Sequence, residues 1–555
     1  MMVTDPQYCN SRLTRGVGTA TAVIVIALYF GTGVFDHEIW SPAEPAFAGV
    51  VWTMFRGGSL AVPRIHDFYY LEKPPLSYWL GWLSCKAVGK LDAGCLRFPT
   101  AVLGVLCLCL VYWIANKRNG TWIACITVFF TATSVEFYYS THLAGNHPVA
   151  VFFVFLCFAL FLRTLLKGDG ADAKCDLAFL AALAVSFYAK NFFTFLIVLP
   201  PVILFLLLKR KFRRAARYVI LVTVFTAVAI GPWVFAIYDE GGLHYLRVVF
   251  FDNTFGRFFN FSHLERFTFG PLDDAFTVAR GDPRYIYLLA LFRRAAPWSL
   301  VFVAALIWLF RHRGVDNFKF FLKVTIISVP VLLTFSASRP QNYIDPLLFI
   351  MLLIVGEFLR GLFFIAGSVT RFERALFNIN LAVVAAAVTI APIVLGIYFG
   401  KPTFFGLSLL IGLAFAVLAW RFRGAYRGPP FAYGITCLVT LSTFVMIMVV
   451  MPSFDALKSQ AVFFDEIRDQ IAGREVYTTV LDDRRLPLIT YYLNWRVPIV
   501  QDRERILQLL KGDVKVGVIF NRVDYLKAEK YLDQIPHKVI SPSLGSKVFV
   551  LVNNP

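Results

Sequence analysis

The chain has 555 residues, 58% of them hydrophobic and only 16% charged, with a mean hydropathy of +0.66. That balance excludes an ordinary soluble globular protein. The net charge of +19 lies largely in short loops between apolar runs; there it sets membrane topology and does not imply nucleic acid as a partner.

Apolar runs of about 17 to 25 residues recur along the chain and predict a polytopic α-helical membrane protein. The N-terminus is short and basic (Arg12, Arg15). The run that follows lacks a small-residue cleavage site and reads as an uncleaved first span. About thirteen spans are expected, near 17–34, 97–115, 121–139, 147–165, 176–190, 191–208, 218–238, 286–310, 320–337, 343–364, 374–399, 403–420 and 430–452. The stretch 75–89 is apolar but short and aromatic, and reads as a helix lying at the interface.

Charge tests this count. With a cytoplasmic N-terminus, every cytoplasmic loop is basic: Lys117-Arg118, Lys167 with Lys174, Lys209-Arg210-Lys211, Arg311 with Arg313, Arg371 with Arg374, and Arg421 with Arg423 and Arg427. The opposite face receives loops 35–96 and 239–285, short turns at 145–147 and 338–342, and everything after about 455. From there strand-like and helical runs alternate, with strands near 475–480, 497–500, 514–520 and 547–552 and helices near 486–494, 503–510 and 525–532. This predicts a small periplasmic α/β domain over 455–555 behind a transmembrane catalytic domain over 1–454. It has no glycine fingerprint for a nucleotide.

The nine cysteines lie mostly within apolar runs and show no CxxC spacing. Cys85 and Cys95 share one outer loop; spacing leaves open whether they pair.

The residues able to do chemistry fall on the outer side. Asp36, His37, Glu38 and Glu44 follow the first span, and Arg64, His66, Asp67, Glu72 and Lys73 come after them. Asn146 and His147 open a span, and Lys190 closes one. Asp252, Asn253, Arg257, His263, Glu265, Asp282 and Arg284 lie in the long loop, and Arg339, Tyr343 and Asp345 open another span. Each also has a plain reading. Asp36 can end a helix in water, and Glu72-Lys73 can be a solvated pair worth under about 1 kcal/mol. Pro74-Pro75 can start a helix, and Lys190 can snorkel. His37, His66 and His147 read better as hydrogen-bonded loop residues than as ligands. Together, the outward cations beside aromatics suit an anionic ligand such as phosphate, and the acids suit proton transfer or positioning of a nucleophile. With no nucleotide-sugar pool outside the cytoplasm, a transfer there needs a donor already in the membrane.

The ordered set of motifs resembles the GT-C class glycosyltransferases, and most closely the aminoarabinose lipid A transferase and protein O-mannosyltransferase superfamily. Asp36-His37-Glu38 with Glu44 is similar to that family's acidic first-loop motif. Glu72-Lys73-Pro74-Pro75-Leu76-Ser77-Tyr78-Trp79 is close to its Glu-Lys-Pro-Pro-Leu-x-Tyr-Trp signature. Lys190 matches a Thr-Lys-Gly lysine, with Asn191 in place of the glycine; Pro232-Trp233, Phe251-Asp252-Asn253 with Arg257, Pro297-Trp298, and Ser338-Arg339 with Tyr343 match later motifs. The chain departs from the pattern at Asn146, where the family has Asp, and at Asp345, where it has an apolar residue. The family's metal-binding histidine falls at Gly281 or Asp282.

The resemblance implies a GT-C fold in a bacterial inner membrane, with the N-terminus cytoplasmic and the C-terminus periplasmic. It implies inverting transfer of a sugar, aminoarabinose-like or a uronic acid or hexose, from undecaprenyl phosphate to lipid A or a related periplasmic acceptor. Asp36 would orient or deprotonate the acceptor. Lys73, Lys190, Arg339, Tyr343 and Arg257 would hold the donor phosphate, with Glu72, Glu44 and Asn146 supporting them. Glu72 and Asp282 are the candidate ligands of a divalent metal, the one cofactor implied, and loop 35–96 would act as a lid. The alternatives are protein O-mannosyl transfer, or a lipid or sugar transporter with a one-sided basic cavity. Against transport, the sequence shows almost no polar residue at mid-membrane and no paired broken helices.

Overall fold

The computed structural model describes residues 12–168, 172–259, 283–312, 316–337, 339–421, 429–541 and 548–555. Among these, eight helices are long and apolar enough to cross a membrane: Ala93–Asn119, Asn146–Leu166, Phe212–Thr254, Asn317–Thr334, Gln341–Phe364, Arg371–Phe399, Thr403–Arg421 and Phe431–Asp455. Two bent pairs raise the number to ten, against the thirteen expected. The runs expected at 17–34 and 191–208 are helical but shorter, as Ala20–Gly31 and Phe193–Leu208. The polytopic membrane architecture holds, and the finer count does not come out of length and composition.

Polar side chains start several of these helices by accepting from the amide three residues on. Asp92 accepts from Cys95, Asp172 from Cys175, Asp316 from Lys319 and Thr370 from Glu373. Gln341–Phe364 runs through the centre and is buried along most of its length, whereas Arg371–Phe399 and Thr403–Arg421 turn Ile379, Val383, Leu409 and Leu413 outward as a lipid-facing surface.

Two runs that read as continuous in the sequence are broken. The run 121–139 becomes Thr121–Ala132 and Val135–Thr141, bent by 67°, and the run 286–310 becomes Ile286–Arg294 and Ser299–Arg311, bent by 114°. The breaks repair each other. Val135 N donates to the Ala296 carbonyl at 3.1 Å, Ser134 Oγ to the Arg294 carbonyl at 3.2 Å, and Trp298 Nε1 to Thr133 Oγ1 at 3.0 Å. At membrane depth, backbone groups freed by a break need such partners.

Loops assigned to the same side meet. Arg118, after the helix Ala93–Asn119 has begun its last turn, pairs with Glu357 at 2.7 Å and Asp316 at 2.5 Å, and Arg311 pairs with Glu373 at 2.9 Å. At the opposite end, the loop 35–96, expected as the first outer loop, folds as Pro45–Phe55, a two-stranded hairpin of β1 (Arg64–Ile65) and β2 (Phe68–Tyr69), and the short helix Leu76–Val88 where an interfacial helix was expected. Cys85 and Cys95 form a disulfide with 5.2 Å between their Cα atoms, joining that short helix to the start of Ala93–Asn119.

After Lys458 the chain forms a four-stranded sheet of β3 (Glu475–Thr478), β4 (Val516–Asn521), β5 (Lys538–Ile540) and β6 (Phe549–Asn553), in the order β3-β4-β6-β5. β3 lies parallel to β4, and the other pairs are antiparallel. The strand expected at 497–500 contributes only a bridge from Ile499 to Thr478. This unit shares a hydrophobic core with the outer loop, in which Phe47, Val50, Val51 and Tyr78 pack with Phe463, Phe464, Leu486 and Ile489. Polar contacts reinforce it: Trp40 Nε1 and Glu38 N donate to Asp455 at 2.9 and 3.0 Å, and Arg56 donates to Asn494 at 2.7 Å.

Candidate active site

The first outer loop is held by one buried ion pair. Glu44 and Arg97 are both fully buried. Arg97 donates to Glu44 through Nε at 2.7 Å and Nη2 at 2.6 Å, and to the carbonyls of His37 and Glu38 at 2.7 and 2.5 Å. Glu44 also accepts from Trp40 N and Ala144 N, each at 2.8 Å. Every oxygen of this buried carboxylate is thus engaged, as burial requires. Glu44 therefore acts as a brace between the loop 37–44 and the turn that leads to Asn146.

Asp36 is presented by this braced loop. Its Oδ2 accepts from Gly33 N at 3.0 Å, and its Oδ1 meets His37 Nδ1 at 2.8 Å. Burial pushes its pKa up, but the His37 and Gly33 hydrogen bonds outweigh burial and leave it below the ordinary carboxylate value. Asp36 is therefore an ionised, weakly basic carboxylate, better suited to orienting an acceptor than to stripping a strongly held proton. Gly33 sits at φ +72°, and a Cβ there would strike the Tyr138 hydroxyl. His37 read as a loop residue in the sequence; the structure makes it the partner of Asp36.

A second group gathers around Glu72 and Lys73. Lys73 Nζ pairs with Glu72 Oε1 at 2.6 Å, and Tyr70 OH donates to Glu72 Oε2 at 2.7 Å. Asp483, from the C-terminal unit, lies close enough to feel Glu72; burial first, and then that negative charge, pushes its pKa up to about 6. Nothing in the spacing of the sequence links residues 72 and 483, so Asp483 was missed.

A third group centres on Lys190. Its Nζ bonds His147 Nδ1 at 2.9 Å and lies 4.3 Å from the Phe193 ring centre and 5.0 Å from that of Tyr343. The helix breaks sharply after Lys190 because Asn191 adopts φ +51°. Asn and Gly tolerate positive φ better than other residues, so Asn191 can do here what a glycine would do. Asn146 opens the neighbouring helix, with its side chain beside the Tyr78 hydroxyl. Tyr343 and Asp345 are displayed by the 3₁₀ turn Gln341–Leu347.

The structure thus unites Glu72 with Lys73, and Lys190 with Tyr343, His147 and Asp345. Among the described residues, the hydrogen bonds of Asp36 are to Gly33 and His37. Arg339 Nη1 donates to the Ser336 carbonyl at 3.2 Å. Arg257 begins the turn Arg257–Phe259, and the Phe258 carbonyl accepts from Ala337 N at 2.7 Å, which sets the backbone of this turn beside the segment that carries Arg339. Asp282, His263 and Glu265 lie outside the described residues. Among the described residues, no three of His, Cys, Asp and Glu gather closely enough to hold a metal ion. Glu72 is occupied by Tyr70 and Lys73, so the metal reading gains no donor set from the described residues. His66 serves as an anchor, with Nε2 bonded to the Val497 carbonyl at 3.1 Å.

This arrangement of bent spans, braced loops and a terminal mixed sheet defines a polytopic helical membrane protein. Its fold is similar over 97% of the chain to the crystal structure of ArnT from Cupriavidus metallidurans bound to undecaprenyl phosphate, with a TM-score of 0.72, 17% identity and 98% of that chain covered. Residues 72–235 match the family model described as dolichyl-phosphate-mannose-protein mannosyltransferase. The undecaprenyl phosphate-alpha-4-amino-4-deoxy-L-arabinose arabinosyl transferase of Pseudomonas aeruginosa is 23% identical over 381 residues, covering 68% of this chain and 65% of its own length. The protein of the same name from Yersinia enterocolitica is 23% identical over 343 residues, covering 60% of this chain and 58% of its own. The chain therefore aligns with less than two thirds of the length of these relatives. The family-model match takes in Glu72, Lys73, Asn146 and Lys190.

Proposed function

We propose that the chain is a bacterial inner-membrane glycosyltransferase, with its N-terminus in the cytoplasm and its C-terminal α/β unit in the periplasm. It moves a sugar of the aminoarabinose type from undecaprenyl phosphate to lipid A or a related glycolipid. The observation that carries this reading is Lys190 set beside Tyr343 and His147, in a fold shared over nearly its full length with a protein bound to undecaprenyl phosphate. The lipid carrier suits this site because its reactive phosphate stays at the membrane edge, where the cations lie.

In the reaction, an acceptor oxygen attacks the anomeric carbon from the face opposite the phosphate. The bond from that carbon to the phosphate oxygen breaks, and undecaprenyl phosphate leaves with the electron pair. Lys73, Lys190, Tyr343, Arg339 and Arg257 hold the phosphate as its charge grows. Asp36 orients the acceptor. A phosphate acceptor, with a second pKa near 6, is already largely ionised at neutral pH and asks little of so weak a base. An acceptor hydroxyl would instead surrender its proton to Asp36 as the bond forms.

Mass spectrometry of lipid A and core glycolipid tests this reading, from cells with the protein, without it, and with Asp36→Ala. A mass increment seen only with the intact protein identifies the sugar. Unchanged lipid A and core overturn the acceptor assignment. A sugar found on protein instead would favour the reading that the mannosyltransferase family match suggests. Lys73→Ala is expected to lower turnover by about 10²- to 10³-fold, in line with the loss of one preorganised donor.

A further inference from the structure

Lys190 does not stand alone. His147 Nδ1 faces its ammonium at 2.9 Å, and the opposite ring nitrogen, Nε2, faces Asp345 Oδ2 at 3.0 Å. Beyond it, Arg294 Nε lies 3.0 Å from Asp345 Oδ1, and Arg294 in turn pairs with Glu136. The last two residues come from the two broken spans, Glu136 from Val135–Thr141 and Arg294 from Ile286–Arg294. The breaks that lock into each other thus deliver this charge pair to Asp345.

The chemistry of the chain fixes its protons. An ammonium only donates, so His147 Nδ1 must accept. The ring proton then sits on Nε2, where the Asp345 carboxylate receives it. Without Asp345, nothing on that side holds the imidazole in this tautomer, and an Nδ1–H would point at the lysine ammonium. We infer that His147 and Asp345 are positioning residues that aim Lys190 at the lipid phosphate, with Arg294 and Glu136 holding Asp345 in place. The inference rests on the reading of Lys190 as a donor-phosphate group.

The test uses the full-length protein in lipid nanodiscs, with undecaprenyl phosphate as the probe and tryptophan fluorescence as the readout of binding and of thermal unfolding. Loss of one charge-assisted hydrogen bond predicts that His147→Ala weakens binding by about tenfold to a hundredfold. Asp345→Asn, which no longer dictates the tautomer, weakens it several-fold. In a Lys190→Ala background, His147→Ala adds no further loss, because a relay that acts through Lys190 has nothing left to aim. His147→Gln, whose amide can accept on one side and donate on the other, restores binding to within about threefold of wild type; it keeps the test decisive if the alanine variant unfolds early. Equal losses in the wild-type and Lys190→Ala backgrounds would show a general packing role and overturn the relay. If wild type binds no undecaprenyl phosphate, the functional reading falls and the inference with it; if wild type binds but Lys190→Ala does not weaken binding, the inference falls alone.

Discussion

At the scale of single residues, burial decides what each acid does. Glu44 and Asp36 lie eight positions apart in one motif, yet one is sealed against Arg97 and the other stays partly exposed beside His37. Breaking a buried ion pair by removing one partner typically costs about 3–5 kcal/mol. Glu44→Gln should therefore lower the thermal midpoint clearly, and transfer should fall only as the folded fraction falls. Asp36→Asn should leave the midpoint nearly unchanged and abolish the sugar increment. A midpoint unmoved by Glu44→Gln would remove its bracing role. Asn191 offers a further check. Glycine relieves a positive-φ position and a β-branched residue strains it by about 1 kcal/mol or more. Asn191→Gly should hold or raise the unfolding temperature, and Asn191→Val should lower it.

At the scale of elements, the outer loop is tied down at several points. Arg64 and Tyr69, on the two strands of the hairpin, both bond Glu240 Oε2, at 2.7 and 2.8 Å, where the helix Phe212–Leu246 kinks at Gly241 and Gly242. This contact links the loop 35–96 to the long loop. If the loop closes over the donor, Arg64→Ala frees the hairpin and should raise the KM for the lipid donor several-fold with little change in kcat. A fall in kcat alone would place Arg64 in the chemistry instead. The broken spans are the other lesson at this scale. The apolar runs 121–139 and 286–310 carry local hints of a break, Ser134 and Glu136 in the first and Arg293-Arg294 with Pro297 in the second, but none of them says which distant segment completes it. Each break is stable only because the other completes its hydrogen bonds, and that pairing between distant segments is invisible to a sliding window.

At the scale of the whole molecule, the C-terminal unit reaches back to the site through Asp483. Its pKa, raised from 3.8 to about 6 by burial and then by Glu72, has a defined consequence for stability. A carboxyl whose folded value is raised contributes stability that is fully present below the unfolded value and is lost as pH rises through the folded one. The joint between the outer loop and the C-terminal unit should therefore weaken from about pH 4 to about pH 6, by roughly 1–3 kcal/mol for a shift of this size. Asp483→Asn should flatten that part of the profile and raise the thermal midpoint at pH 7. An unchanged profile would remove the coupling between Asp483 and Glu72.

The amino-acid sequence by itself determined the membrane class, the alternation of basic loops, most of the helices and strands after residue 455 though not β5 or the reduced 497–500 strand, and the motifs around Asp36, Glu72-Lys73 and Lys190. All of these are local or periodic signals, carried by hydropathy over a span or by neighbours in the chain. Only the tertiary structure decided that Glu44 is a brace held by Arg97, that His37 serves Asp36, that two spans are bent against each other, and that Asp345, Arg294 and Asp483 join the site. Each of those depends on contacts between segments tens to hundreds of residues apart, where one buried charge must find another to offset its desolvation. Which distant partner it finds is set by how the helices pack, and no spacing along the chain encodes that choice.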